Sequence, residues 1–284
     1  MSIPIALTIA GSDSGGGAGI QADLKAFSAL GVYGASVITA LTAQNTREVR
    51  GIQAVPADFI ALQLDAVFDD LNIDAVKTGM LGRADAAAVV ADGLRSRAVR
   101  HLVVDPVMVS KSGVRLLEED GVAVLRDRLL PLATVVTPNV AEAAALLGES
   151  PEAVLKDRED VCHRLLAFGS KTVVLKGGHA GGAESEDLFF DGRHLEALTA
   201  RRIASRNTHG TGCTFASAIA AFLAHGRSPS EAVRAAKRYV TAAIEAADAL
   251  RVGSGQGPVH HFHRLWGPGG GVSNPGDAAP PRWG

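Results

Sequence analysis

Two glycine-rich segments of this chain have the makings of anion seats. The first, Asn207-Thr208-His209-Gly210-Thr211-Gly212-Cys213-Thr214, stands directly before an Ala-rich helical stretch. Gly210 and Gly212 permit tight turning, so the amides of residues 210–213 can converge on one point at a helix start. Such a cup suits the negative charge spread over a phosphoryl group in transfer. A thiol in that position, Cys213, is expected to have a depressed pKa, because the helix dipole favours thiolate. The competing reading makes Cys213 a small buried hydrophobe. The second segment, Gly11-Ser12-Asp13-Ser14-Gly15-Gly16-Gly17-Ala18-Gly19, follows an apolar run. It is neither familiar phosphate loop: a dinucleotide fingerprint needs glycine where Ile20 stands, and the Gly-Lys of a P-loop occurs nowhere in the chain. A general ligand loop or a tight structural turn remains. Asp23, one turn into the helix that follows, is expected to face the same opening.

Three smaller clusters stand where strands should end. Asp105-Pro106 follows Leu102-Val103-Val104, and Thr137-Pro138-Asn139 with Glu142 follows residues 134–136. Lys176-Gly177-Gly178-His179 follows Val173-Val174-Leu175. Alone, each carboxylate reads equally as a helix cap or a loop ion pair. Together they put two carboxylates, an amide, a lysine and an anion seat on one rim. Carboxylates for Mg²⁺, a cation for phosphate and amides for the migrating group are what phosphoryl transfer needs. The histidines of His260-His261-Phe262-His263 lack a cysteine or carboxylate at ligand spacing and read as a capping segment, not a zinc site.

Such dispersed residues need a scaffold that gathers distant loops. Apolar runs at 3–9, 36–41, 75–76, 101–104, 134–136 and 172–175 predict strands. Helical spacing predicts helices over 20–30, 57–68, 84–95, 122–130, 141–147 and 154–168. The alternation implies an α/β fold with a mostly parallel sheet, helices on both faces and a ligand site beyond the carboxyl ends of the strands. Near residue 187 the rhythm changes. Leu188 to Leu195, with Asp191-Gly192 between, reads as a hairpin that ends the sheet in antiparallel edge strands. Helices over 214–223 and 231–250 close the fold. Residues 1–266 read as one domain, and 267–284, where ten of eighteen residues are Gly or Pro, as a disordered tail.

Composition sets outer bounds. With 47% hydrophobic and 20% charged residues in 284, wholesale disorder is excluded. A net charge of −2 argues against blanketing nucleic acid or an anionic membrane. Two cysteines exclude a disulfide scaffold and suit a reducing compartment. The charge-free stretch 26–46 contains Gly31, Gly34, Gln44 and Asn45, and parses as helix end, turn and strand rather than a membrane span. No export signal opens the chain, so a cytoplasmic, soluble protein is expected.

Several motifs resemble those of the hydroxymethylpyrimidine/phosphomethylpyrimidine kinases of thiamine biosynthesis, within the ribokinase-like superfamily. The carriers are residues 6–25 (Ala6-Leu7-Thr8-Ile9-Ala10-Gly11 onward), Leu41-Thr42-Ala43-Gln44-Asn45-Thr46, Lys77-Thr78-Gly79-Met80-Leu81 and Asp105-Pro106-Val107-Met108. Thr137-Pro138-Asn139, Lys176-Gly177-Gly178-His179, the 207–214 segment and Gly257-Pro258-Val259-His260-His261-Phe262 complete the set. The resemblance covers roughly 3–266. It implies a ribokinase-like fold with a small antiparallel edge or flap, and two successive phosphoryl transfers from ATP with Mg²⁺. The acceptors would be 4-amino-5-hydroxymethyl-2-methylpyrimidine and then its monophosphate. By motif position, Gln44, Asp23, Gly11, Met80 and Val107 would line the pyrimidine pocket. Lys176, Asn139, Thr208 and Lys237 would meet ATP, and Asp105 and Glu142 would organise Mg²⁺. Cys213 with Gly210, Thr211 and Gly212 would form the catalytic loop. Members are often homodimers. A related pyridoxal kinase activity and a non-catalytic pyrimidine-binding protein are the alternatives; Gln44 after Leu41-Thr42-Ala43 favours the aminopyrimidine.

Overall fold

The structure, a computed structural model, describes residues 3–109, 116–177 and 182–266. Strands β1 (Ile5–Asp13), β4 (Ala75–Thr78), β5 (Leu102–Val104), β6 (Val135–Val136) and β7 (Val173–Leu175) are made of residues buried on both faces, as parallel strands under helices must be. With β2 (Tyr33–Gln44), β3 (Val49–Ala54), β8 (Glu184–Phe190) and β9 (Leu195–Arg201) they form one sheet. Its order is β3-β2-β1-β4-β5-β6-β7-β8-β9. The run from β2 to β7 is parallel, while β3 on one edge and β8 and β9 on the other are antiparallel.

Helices α1 (Gly19–Ala29), α2 (Ala57–Phe68), α3 (Ala84–Ser96), α4 (Glu119–Val124), α5 (Val140–Leu147), α6 (Pro151–Lys156), α7 (Arg158–Leu166), α8 (Thr211–Ala224) and α9 (Pro229–Glu245) cover the two faces. Period-two alternation divides the strand residues between them. Val76, Val104 and Val136 point into a core shared with α2, α3, α5 and α7. Ala75, Val103 and Val135 point the other way, toward α1, α8 and α9. The chain leaves β1 for β2 on one side and returns to β4 on the other. That reversal opens a crevice at the carboxyl ends of β1 and β4.

One strand was not foreseen and two expectations are corrected. β3 escapes sequence patterning because most of it is exposed and it carries Arg50 and Gly51. The helix expected over 154–168 is two helices, because Asp157 leaves helical backbone and its side chain accepts from the Asp160 amide to start α7. The stretch 122–130 passes from α4 through a π-type turn, Leu125–Leu129, into a short 3-10 turn at Leu130–Leu132, where Pro131 cannot continue the ladder. The expected tail at 267–284, with Gly178 and His179, lies outside the described residues.

Candidate active site

Most residues of the site follow the carboxyl end of a strand or start a helix. Asp13 ends β1, and its carboxylate accepts from the amides of Gly15, Gly17 and Ala18 at 2.8, 3.1 and 2.8 Å. The carboxylate thereby winds the glycine loop around itself. Its Oδ2 also lies 2.9 Å from His209 Nε2, tying this loop to the one before α8. Burial works to raise the Asp13 pKa, but the His209 contact and the loop amides outweigh it and hold the carboxyl below its ordinary range. At Gly210, φ is +76°, and a Cβ there would stand 1.8 Å from the Gly17 carbonyl oxygen. Only glycine lets the two loops interlock. A third segment ties the loop before α8 to the turn after β2: His209 donates its amide to the Gly257 carbonyl, and the Gln256 amide donates to the Thr46 carbonyl.

The amide cup expected at 210–213 is present at the N-terminus of α8. The Thr211 amide reaches the Thr208 carbonyl at 3.4 Å. Among the described residues, the amides of Gly210, Gly212 and Cys213 meet no acceptor. A helix start with open N–H groups attracts an anion. The expected thiolate is corrected: burial pushes the Cys213 thiol up to about 11, and the Lys77 ammonium only partly offsets this. Cys213 is therefore a neutral thiol near pH 7, because burial, with Asp23 and Asp105 nearby, outweighs the Lys77 ammonium and the Gly19 amide.

Beside the cup stands Lys176, just after β7. Its Nζ is 2.8 Å from Asp105 Oδ1 and 3.8 Å from Glu142 Oε2. A Cβ on Gly212 would be 3.4 Å from that ammonium, so cation and cup share one spot. Burial pulls the Lys176 pKa down, but Asp105 and Glu142 hold it above the usual lysine range. Thr137 donates to Asp105 Oδ1 at 3.1 Å. Asn139 and Glu142 form the capping box of α5, each side chain accepting from the other's amide at 2.9 and 2.8 Å. Burial, with help from Asp105 and against Lys176, raises the Glu142 carboxyl to about 7. Lys237, on α9, is pinned by Asp187 at 2.7 Å. Thr208 Oγ1 accepts from Gln256 at 3.0 Å.

At the other end, the side-chain amide of Gln44 closes β2. One end of that amide is 3.2 Å from His209 Nε2 and the other 3.3 Å from Thr42 Oγ1. A Cβ on Gly11 would fall 2.3 Å from Met80 Cε, so the glycine makes room for the methionine that lines the site. Asp23 is corrected: it is fully buried beneath the site and lines nothing. Its two oxygens hold Lys77 Nζ at 3.0 and 2.8 Å, and they accept from Thr8 and Ser217 hydroxyls at 2.6 Å each.

One cavity of about 890 Å³ is lined by Gln44, Gly11, Met80 and Val107 together with Gly210, Thr211, Gly212 and Cys213. Lys176, Asp105, Asn139, Glu142, Thr208 and Lys237 line the rest. Its size is near the top of the ~300–1,000 Å³ range of ligand sites, room for two ligands side by side. Sequence reasoning missed Asp13, Lys77, Asp187 and His209 as site-building residues. The signal for Asp13 was an aspartate opening a glycine run, a loop anchor by type. Among the described residues no helix is long and apolar enough to cross a membrane.

Comparison with known proteins gives a consistent result. The family model described as phosphomethylpyrimidine kinase matches residues 13–260. The hydroxymethylpyrimidine/phosphomethylpyrimidine kinase of Rhizobium meliloti is 58% identical over 265 residues, covering 92% of this chain and 98% of that protein. Among solved structures, an ADP complex of Bacillus subtilis pyridoxal kinase superposes with a TM-score of 0.85 at 37% identity, covering 93% of this chain and 99% of that one. The phosphomethylpyrimidine kinase of Clostridium difficile 630 gives 0.74 at 41% identity, covering 85% and 99%. With most of its length inside the match, and with the loops of that match gathered around one cavity, this chain belongs to the phosphomethylpyrimidine kinase family.

Proposed function

We propose that this chain is an ATP-dependent kinase of thiamine biosynthesis that phosphorylates 4-amino-5-hydroxymethyl-2-methylpyrimidine and then its monophosphate. The observation that carries the reading is that Gln44 and the open amides of Gly210, Gly212 and Cys213 line one cavity. A flat heteroaromatic gripped at Gln44 presents its hydroxymethyl group toward the cup, where a γ-phosphoryl group would sit. One carboxamide offers both a donor and an acceptor, matching a ring nitrogen beside an exocyclic amine. The Gly212 and Cys213 amides then stabilise the charge of the migrating group without reorganisation, and Lys176 neutralises it from the side.

Asp105 and Glu142 offer carboxylates next to Lys176, and no third metal-binding side chain joins them among the described residues. Two carboxylates with open space fit Mg²⁺ held largely by waters and phosphate oxygens. When bound, the ion would neutralise charge on the phosphates. Asn139, its carbonyl end engaged by the α5 cap, has its NH₂ group available for a phosphate oxygen. We assign Cys213 the placing of the acceptor rather than the removal of its proton, because its thiol stays neutral near pH 7. The second transfer has a phosphate acceptor and needs no base.

A coupled assay of ADP formation, with the hydroxymethyl pyrimidine and then its monophosphate, tests the reading. Turnover of both is expected, and absence of both would refute it. The high superposition on a pyridoxal kinase favours a second measurement with pyridoxal as acceptor. Faster turnover of pyridoxal than of the aminopyrimidine would reverse the assignment.

A further inference from the structure

The chemistry above gives Asp13 and His209 no role, yet both stand beside the Gln44 amide. The two ends of that amide are near-isosteric, so its partners decide which is oxygen and which is nitrogen. His209 Nε2 faces one end at 3.2 Å and Asp13 Oδ2 at 2.9 Å. An ionised carboxylate only accepts, so Nε2 carries a proton. An NH₂ group aimed at that N–H would set donor against donor. The end of Gln44 facing His209 is therefore Oε1, sharing the N–H with Asp13.

The opposite flank accommodates the same orientation. Thr42 Oγ1 has one proton and two neighbours to give it to, the Ser12 carbonyl oxygen at 3.0 Å and the Gln44 amide at 3.3 Å. With Oε1 turned to His209, the proton goes to Ser12 and the hydroxyl accepts from the Gln44 NH₂ group. Neutral or protonated, a His209 ring facing Asp13 keeps its Nε2–H, so this orientation holds in either charge state.

We propose that Asp13 and His209 are positioning residues that lock the Gln44 amide in one orientation and so decide which heteroaromatic edge the enzyme accepts. The proposal rests on Gln44 being the residue that grips the pyrimidine. Locked, the amide offers a lone pair on the His209 side and an N–H on the Thr42 side. An amine next to a ring nitrogen, the edge of a 4-aminopyrimidine, matches that order. The 4-oxo counterpart in its lactam form presents acceptor and N–H in reverse. It would need the amide turned over, against the His209 N–H.

The test is the ratio of kcat/KM for 4-amino-5-hydroxymethyl-2-methylpyrimidine to that for its 4-oxo counterpart, in wild type, His209→Leu and His209→Gln. Leucine removes the N–H, and glutamine restores one at similar reach. A wild-type preference of about 100-fold or more is expected, falling about tenfold or more in His209→Leu and recovering in His209→Gln. Damage to packing would slow both substrates together and leave the ratio alone. An unchanged ratio in His209→Leu overturns the lock. Should that variant fail to fold, Asp13→Asn frees the ring to accept as well as donate, and the same fall is expected; an unchanged ratio there overturns the lock equally. A wild type that turns over the aminopyrimidine without preferring it sinks the lock alone. A wild type that turns over no aminopyrimidine sinks the parent reading with it.

Discussion

Of the lysine–aspartate pairs around this site, two do opposite jobs. Lys77 and Asp23 have side chains with 0% exposure, and the four polar contacts on Asp23 all come from the fold itself. Lys176 and Asp105, at 15% and 2%, sit in the cavity wall beside open amides. The saturated pair fastens β1, β4, α1 and α8 to one another. The unsaturated pair has charge left over for a ligand. What separates structure from chemistry here is how many protein donors each carboxylate already has, not residue type.

The contrast can be broken at its deepest point first. Lys77→Met leaves a carboxylate buried without its cation, a change that costs about 3–5 kcal/mol. Urea unfolding should show that loss; a variant as stable as wild type would dissolve the distinction. Lys176→Met should do the reverse, lowering kcat about 10²- to 10³-fold with unfolding shifted by about 1 kcal/mol or less. Equal destabilisation by both variants would mean that the second pair is structural too.

A smaller effect sharpens the same comparison. Glu142 titrates at about 7 instead of its ordinary 4.5, so between those values the native protein keeps a proton that the unfolded chain has lost. Stability should therefore fall as pH rises through that window. Glu142→Gln should flatten the fall, and Lys176→Met should carry it to higher pH. A stability–pH curve identical in all three proteins would contradict the coupling. Smallest is Cys213→Ser: with a thiol at about 11, the first transfer should keep its pH profile between about pH 6 and 9 and lose less than about tenfold in kcat. A profile that moves with this substitution would restore the cysteine as a base.

The parallel half of the sheet was legible because continuous apolar runs have one explanation, burial on both faces. β3 was not, since an exposed edge strand with Arg50 and Gly51 has no periodic signature. Most of the site was legible because its residues follow strand ends, where this topology must place ligands. Asp23 was misplaced because its partners Lys77 and Ser217 lie 54 and 194 residues away. Local spacing cannot show that a carboxylate one turn into a helix points inward. Cys213 was misjudged for a related reason: the dipole argument is local, whereas desolvation depends on everything packed around the thiol.

The clasp of residues 255–257 over Thr46 and His209 has a temporal meaning. Gly255 donates its amide to Thr46 Oγ1 across 209 residues of chain. Closing a loop of that length costs chain entropy that a few clasp contacts alone do not offset, so the clasp holds only once the fold has brought Thr46 and Gly255 together. The protein should thus mature in two stages, a closed core first and a competent pocket second. Limited proteolysis just after residue 250 would then cost ligand affinity before it costs the melting transition.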